Sequence, residues 1–252
     1  MGTSLQKPLP KDNILRLVLI AMFAAICFVI IMFRIPIADQ FVHAGNAVCI
    51  LAALLLGGWQ GGLAGSIGMG LNDLFFYPSS VVKTLILKFG IGLFTGLIFR
   101  YGKTHPDRSP RLGLGIASGV SLASGAVVLA IYLQSSTHSN GLLIPSIFLL
   151  ILGGVLAGIL VASCFVRSFS HDILYAVFGA TIGVAFNVVG EFTWRFVENL
   201  LTGLTVGGAV TATLVKIPAT FLNGSFSVFL AVLLYLPVRT ALQKAKLGSM
   251  LV

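Results

Sequence analysis

Long apolar runs, separated by short polar or glycine- and proline-containing segments, extend through most of the chain. Because a helix needs about 20 apolar residues to cross a hydrocarbon layer of about 30 Å, each run is a candidate membrane span. The runs predict eight spans, at residues 14–33, 44–58, 61–77, 81–100, 112–133, 142–166, 173–198 and 209–238. The second and third are short, so we expect one of them to be tilted, broken or partly shielded by neighbours. The pattern predicts an all-α integral membrane protein, a multi-span helical bundle.

The composition changes this picture little but excludes a soluble globular domain. Hydrophobic residues make up 57% of the 252 positions and charged residues only 9%, whereas about a quarter of the residues of a soluble protein are charged. The first apolar run is long enough to span the bilayer and lacks a small-residue cleavage site. We therefore expect it to remain as a transmembrane helix rather than to be removed as a signal peptide.

The basic residues are concentrated between particular spans. If the N-terminus is cytoplasmic, the cytoplasmic side receives Lys7, Lys11, Arg16, Arg100, Lys103, Arg108, Arg111, Arg167, Arg239, Lys244 and Lys246, and an outer loop receives only Arg34. Cytoplasmic loops of membrane proteins carry an excess of lysine and arginine. The pattern predicts that both termini are cytoplasmic. It also explains the net charge of +9 by topology rather than by nucleic-acid binding.

Small residues recur at four-residue spacing in several spans. The rows are Gly58, Gly62, Ser66 and Gly70; Gly92 and Gly96; Gly115, Gly119 and Ala123; Gly179 and Gly183. Small residues let membrane helices approach closely, so the rows predict tight packing and say little about activity. Ala21 and Ala25 in the first span fit either internal packing or a docking face for another membrane subunit, and spacing alone favours packing.

Polar and charged residues of the spans collect in the half that this topology places outside. They are Asp73, Lys83, Lys88, Asn187, Glu191, Arg195, Lys216 and Asn223. Charged groups in a membrane are costly and usually face a cavity or a partner. A channel or proton wire would need polar groups through the full depth, so the asymmetry favours a binding pocket that faces outwards. The alternative is structural pairing, of Glu191 with Arg195 one helical turn apart or of Asp73 with Lys83.

Signals for catalysis or for cofactor binding are not evident in the sequence. No serine–histidine or metal-ligand constellation occurs at helical spacing, and the phosphate-binding pattern GxxxxGK[ST] is absent. Cys27, Cys49 and Cys164 lie inside apolar runs without paired spacing, which indicates helix packing rather than a disulfide or a zinc site. We therefore expect neither an enzyme nor a bound metal or cofactor.

Two long stretches resemble the substrate-binding S components of energy-coupling factor (ECF) transporters. They are "GNAVCILAALLLGGWQGGLAGSIGMGLNDLFF" followed by "TLILKFGIGLFTGLIFR", and "FNVVGEFTWRFV" followed by "VKIPATFLNGSFSVFLAVLLYLPVRTALQK". The resemblance covers roughly residues 14–101 and 173–245. It departs from the family pattern at Gly58, Trp59 and Gln60, which replace the usual proline and lysine.

The resemblance implies a six-helix core within a single membrane domain, residues 1–252. Residues 112–166 depart from the family pattern and are predicted to form an extra helical hairpin inserted after the fourth helix. It implies capture of a water-soluble vitamin or vitamin precursor in the cell membrane of a prokaryote. The captured molecule would be delivered to a membrane scaffold subunit and two cytoplasmic ATPases. Ala21 and Ala25 match the family's scaffold-contacting AxxxA patch, which reverses the preference for internal packing, and residues 34–46 match its lid loop.

The candidate substrate-binding residues combine the polar cluster with this resemblance: Asn46, Asp73, Lys83, Lys88, Asn187, Glu191, Trp194 and Asn223. In the outer half the four basic side chains Lys83, Lys88, Arg195 and Lys216 outnumber the acidic ones, Asp73, Glu191 and Glu198, by one, which leans towards an anionic or electron-rich ligand. Trp194, Phe186 and Phe192 can stack on a flat ring. Pantothenate-like, pyrimidine-like, flavin and corrinoid ligands all remain open.

Two other functions compete with substrate capture. An ion-coupled secondary transporter commonly shows internal repeats and broken helices near the midplane, and we find no convincing repeat between the halves. A membrane enzyme or assembly factor would need a reactive constellation that the sequence does not show.

Overall fold

The computed structural model describes residues 11–37, 40–134, 140–165 and 170–252. In these ranges the chain forms nine α-helices and a two-stranded hairpin. The elements are α1 Lys11–Ile30, β1 Ile35–Ile37, β2 Gln40–Val42, α2 Gly45–Leu56, α3 Gly58–Phe76, α4 Val81–Thr104, α5 Arg111–Gln134, α6 Asn140–Phe165, α7 His171–Leu201, α8 Val206–Leu214 and α9 Ile217–Lys244. Short 3₁₀ turns occur at Pro78–Ser80 and Gly248–Met250.

The all-α, multi-span fold class is confirmed. Within the described ranges, five helical stretches are long and apolar enough to cross a membrane: Asn13–Ile30, Pro78–Thr104, Arg111–Gln134, His171–Leu201 and Val206–Lys244. The predicted spans agree with the helices to within a few residues, apart from the last. Residue 166 of the sixth predicted span, and Lys7 and Arg167 of the basic set, lie outside the described residues.

The last predicted span, 209–238, is two helices rather than one. The chain leaves the helical pattern at Val215 and Lys216, between α8 and α9. A proline in the first turn of α9, Pro218, explains the break, because proline lacks an N–H and disfavours a helix that continues through it. The continuous apolar character of the run conceals this break.

Helix α2 forms the centre of the bundle. All twelve of its residues are buried, between α1, α3, α4 and α9. At 1.5 Å per residue it is about 18 Å long, which is too short to cross a hydrocarbon layer of about 30 Å by itself. This short second span is therefore shielded from lipid by its neighbours, one of the outcomes that its length predicts.

Glycines bring α3 and α4 into backbone contact. A Cβ atom on Gly96 would overlap the backbone of Gly57 and Gly58, and one on Gly92 would overlap Gly61 and Gly62. The packing role expected for these rows is confirmed. The row in α5 is different, because a Cβ on Gly119 would have no heavy atom within 4 Å.

Helices α5 and α6 form a hairpin that packs chiefly on itself. Ser118 Oγ donates a hydrogen bond of 2.8 Å to the Gly153 carbonyl, and Ser121 Oγ donates one of 2.7 Å to the Leu149 carbonyl. The hairpin meets the core through a small apolar cluster of Leu114, Leu156, Leu174 and Val177. Elsewhere an apolar cleft of about 650 Å³ separates α6 from α7 and α9.

One end of the bundle is rich in basic residues, and one carboxylate there connects three helices. Asp172, at the start of α7, accepts hydrogen bonds from Lys103 of α4 and from Arg239 of α9, the latter at 3.2 Å. The other described basic residues that were predicted to be cytoplasmic lie near the end of α4, at the start of α5 and between these two helices, at the end of α9 and after it, and in the first turns of α1. We call it the basic end; the opposite end, which carries the β-hairpin and Pro78–Ser80, is the cavity end.

Candidate functional site

A small polar cavity lies at the cavity end of the bundle. Its volume is about 80 Å³, and it is lined by His43, Asn46, Lys88, Asn187, Glu191, Thr220 and Asn223. Helices α2, α4, α7 and α9 all contribute, together with the segment between β2 and α2. Residues from widely separated parts of the sequence therefore converge on one polar space inside an apolar bundle.

The close approach of α4 and α7 places their polar side chains together. A Cβ atom on Gly90 would overlap the ring of Phe186, and one on Gly183 would overlap the Ile91 carbonyl, so neither position has room for a side chain. One turn from these contacts, Lys88 Nζ donates a hydrogen bond of 2.9 Å to Asn187 Oδ1. Asn187 and Glu191 are four residues apart in α7, which puts both on the face that meets the cavity.

Glu191 is the centre of an ion cluster beside the cavity. Its Oε2 atom lies 3.3 Å from Lys83 Nζ and 3.3 Å from Arg195 Nε. The pairing with Arg195 expected from four-residue spacing is present. Among the described residues, the ion-pair partner of Lys83 is Glu191 and not Asp73, whose Oδ2 instead accepts a hydrogen bond of 2.5 Å from Thr84 Oγ1.

The segment after the β-hairpin is fastened to α9. The backbone N–H of His43 donates a 3.2 Å hydrogen bond to Asn223 Oδ1. The His43 ring is fixed as well, because its Nδ1 accepts a 3.2 Å hydrogen bond from the Gly45 N–H. Asn223 thus links the segment between β2 and α2 with the last helix.

His43 is neutral in this setting. Burial, together with the positive charges of Lys88 and Arg34, lowers its pKa from the ordinary 6.5 to about 3. Since Nδ1 accepts a hydrogen bond, the single ring proton belongs on Nε2. The residue therefore contributes a neutral N–H donor to the cavity.

We expect His43→Gln to reduce the sensitivity of the fold to mild acid. Below pH 6.5 the unfolded chain protonates this histidine, while the folded chain does so only near pH 3; folding stability contributed by the neutral ring is thus lost as the pH falls through that window. Between about pH 7 and about pH 5 the wild type should lose more Tm than the variant. The exposed His105, changed to Gln, is the control and should behave as the wild type. An equal loss of Tm in His43→Gln and wild type would contradict the prediction.

Five of the eight predicted substrate-binding residues line the cavity: Asn46, Lys88, Asn187, Glu191 and Asn223. Asp73 and Lys83 lie behind it, in contact with Thr84 and Glu191. Trp194 is not among the lining residues, and its Nε1 donates to Glu198 Oε1 at 2.6 Å. Trp194 thus contacts Glu198, one turn further along α7, rather than the cavity.

Sequence reasoning missed two lining residues, His43 and Thr220. His43 lies outside every predicted span, so polar residues within the spans do not indicate it. The usable signal was the resemblance of residues 34–46 to the family's lid loop. Thr220 precedes Asn223 by three residues, and this helical spacing was a usable signal. Within the described residues, no group of three or more histidine, cysteine, aspartate or glutamate side chains is placed to hold a metal ion.

Comparison with known proteins identifies the family. The family model of the ECF-type riboflavin transporter S component matches residues 11–165, which is more than half of the chain. The matched segment includes Asn46 and Lys88 and ends before α7. An uncharacterized protein of Pyrococcus woesei is 29% identical over 150 residues, covering 59% of this chain and 81% of that protein. No solved structure matches the chain. The chain belongs to the family of S components of ECF-type riboflavin transporters.

Proposed function

We propose that the chain captures a water-soluble vitamin, or a precursor of one, from outside a prokaryotic cell and delivers it to an ATP-driven energy-coupling module. Membership of the family implies in general a vitamin-like ligand and a coupling module, and S components are not an enzyme class. In this proposal both termini are cytoplasmic, the cavity end faces outwards, and the module consists of a scaffold subunit and two ATPases.

The observation that carries the proposal is the one-sided placement of the polar cavity. On the basic-end side of Lys88, Asn187 and Asn223, the helices α4, α7 and α9 carry no charged residue until Arg100, Asp172 and Arg239 respectively. A conducting pathway for ions would need charged groups or a chain of polar groups and water along this stretch. The buried hydroxyls of Thr181 and Ser227 instead donate to carbonyls of their own helices. A cavity closed on one side suits a protein that binds its ligand and relies on a partner for release.

The size of the cavity limits what it holds in this conformation. Cavities that bury whole drug-sized ligands measure about 300–1,000 Å³, whereas this one measures about 80 Å³. It has room for one polar group of a ligand. Entry of a whole vitamin requires movement of surrounding residues, and the His43 segment, held to α9 by the hydrogen bond to Asn223, is the part of the lining outside the helices.

The proposed docking face on α1 consists of Ala21 and Ala25, whose side chains lie on the outer surface of the bundle. Ala21 and Ala25 are exposed, whereas Ala24 between them is buried against Gly68 of α3. Small exposed residues allow a partner helix to approach the backbone closely. This arrangement supports the assignment of Ala21 and Ala25 to contacts with the scaffold subunit.

We expect Ala21→Leu combined with Ala25→Leu to disrupt docking and leave ligand binding intact. The larger side chains hold a partner helix away but lie far from the cavity. In pull-downs from cells that make the coupling module, we expect the amount of module bound to the double variant to fall by about tenfold or more. A tenfold loss of affinity corresponds to about 1.4 kcal/mol of binding free energy. Ile26→Leu, at an exposed position on another side of the same helix, is the control. Undiminished retention of the module by the double variant would refute the docking face.

Native mass spectrometry of the detergent-purified chain tests the proposed function directly. A vitamin-sized adduct should accompany the protein from cells grown in rich medium, and Asn187→Ala, which removes a cavity side chain bonded to Lys88, should lose it. In liposomes the chain alone should bind but not concentrate the ligand. Concentrative uptake by the chain alone would establish the alternative, an ion-coupled secondary transporter.

A further inference from the structure

The Lys88 side chain is a buried ammonium whose neighbours do not neutralise it. Only 8% of the residue is exposed. Its Nζ donates to the amide oxygen of Asn187, which is uncharged. Among the residues that the structure describes, no carboxylate lies within ion-pair distance of this nitrogen, since the nearby Glu191 pairs with Lys83 and Arg195. A buried charge without a paired opposite charge is costly.

The surrounding cluster also carries an excess of positive charge. Three basic side chains, Lys83, Lys88 and Arg195, stand beside two acidic ones, Asp73 and Glu191. The ring of His43 adds no charge, because it is neutral. The positive charge of Arg34 also acts on His43. The described side chains at this site therefore carry an excess of at least one positive charge, in a setting where apolar helices screen it poorly.

The hydrogen-bonding groups of the cavity favour a ligand rich in acceptor atoms. Lys88 has two ammonium hydrogens beyond the one given to Asn187, and the Asn187 amide nitrogen and His43 Nε2 are also donors. The cavity also contains one acceptor. Asn46 is 98% buried, and its Oδ1 has no hydrogen-bond partner among the described residues. That amide oxygen can accept one hydrogen bond from the ligand, next to several donors.

We propose that the ligand group entering this cavity is an oxyanion, a carboxylate or a phosphate, with its oxygen atoms on Lys88 Nζ. The cavity, about 80 Å³, has the volume for such a group. Charge-assisted hydrogen bonds of this kind are roughly twice as strong as neutral ones. The inference rests on the proposed capture function and narrows its ligand: riboflavin, the substrate in the family's name, is uncharged, whereas this site favours an acidic vitamin or a phosphorylated one.

Matched pairs of compounds test the oxyanion while the ligand itself is still unidentified. Binding to the purified full-length chain is measured by calorimetry for nicotinate and nicotinamide, pantothenate and pantothenol, biotin and biotinamide, and flavin mononucleotide and riboflavin. Any other molecule found by native mass spectrometry is compared with its own ester, amide or dephosphorylated form. We expect the anionic member of at least one pair to bind at least about tenfold more tightly. The pair that responds distinguishes a carboxylate from a phosphate.

Variants then connect the preference to one side chain. Lys88→Gln should reduce the anionic preference to about threefold or less, and Lys88→Arg, which keeps the charge, should retain most of it. Lys216→Gln, at the cavity end but outside the lining residues, is the matched control and should keep the wild-type preference. Thermal unfolding of each variant separates a loss of folding from a loss of binding.

The outcomes distinguish this inference from the function on which it rests. If riboflavin or another uncharged compound binds tightly and its anionic partner binds no better, the proposal of an oxyanion on Lys88 is wrong, while the proposed capture function is supported. An anionic preference that survives Lys88→Gln overturns the role of Lys88. A chain that binds none of the compounds and carries no co-purified molecule overturns the capture function itself, and the inference with it.

Discussion

Replacing Glu191 with alanine is expected to lower the free energy of unfolding by about 3–5 kcal/mol, because it leaves buried cations without their carboxylate. Glu191 Oε2 lies 3.3 Å from both Lys83 Nζ and Arg195 Nε, and its side chain is only 12% exposed. In its absence two positive charges remain close together inside an apolar bundle, with Lys88 nearby. Ligand binding should fall as well, since Glu191 lines the cavity.

Unfolding in detergent, followed by circular dichroism, measures this loss. Glu198→Ala is the matched control: it removes a carboxylate from the same helix, but one that is exposed and bonded to Trp194, so its effect should stay within about 0.5 kcal/mol. Adding Lys83→Met to Glu191→Ala should restore part of the stability, because it removes one of the orphaned charges. Similar losses from the two alanine variants would show that Glu191 is not the centre of the ion cluster.

Gly96→Leu should prevent α3 and α4 from packing, at a cost of at least about 3 kcal/mol, the upper range for overpacked cores. The added Cβ would meet backbone atoms of Gly57 and Gly58, which cannot turn aside as a flexible side chain does. Helix α4 also carries Lys88, so a displacement of α4 away from α3 would move this side chain out of its place in the cavity. We therefore expect both the yield of monodisperse protein and ligand binding to be lost.

Gly119→Leu is the control for that experiment. It makes the same chemical change in another membrane helix, but a Cβ atom there would have no heavy atom within 4 Å. Yield and Tm should be close to those of the wild type, with a small gain in helix propensity. Normal yield from both leucine variants would mean that backbone contact between α3 and α4 is not required.

The apolar pattern was sufficient to predict most of the helices, because a membrane requires each span to be long, apolar and internally hydrogen-bonded. It failed where the fold depends on local backbone chemistry, because the α8–α9 break depends on one proline inside a continuous apolar run. The strands β1 and β2 are three residues each, too short to show a repeating pattern.

The polar composition of the candidate site follows from the sequence, but the pairing of its charged residues follows only in part. Polar residues inside apolar spans are conspicuous, and five of them line the cavity. Which residues pair depends on how each helix is rotated about its axis, and a single sequence does not supply that rotation. Pairing of Lys83 with Asp73, ten residues earlier in the chain, was one alternative from the sequence, but Lys83 is paired with Glu191 from a helix more than 100 residues away.

The path of the main chain around the α5–α6 hairpin has a consequence for how proteins of this kind can differ in length. Near the start of the hairpin, the Arg108 carbonyl accepts hydrogen bonds from His171 Nε2 at 2.8 Å and from the Tyr175 hydroxyl at 3.3 Å, both at the start of α7. The backbone thus leaves the core and returns to it at adjacent points, and no described residue of this hairpin lines the cavity. Such a detour can lengthen, shrink or disappear over evolutionary time without shifting the helices on either side, so chain length is a poor guide to whether two such proteins recognise the same molecule.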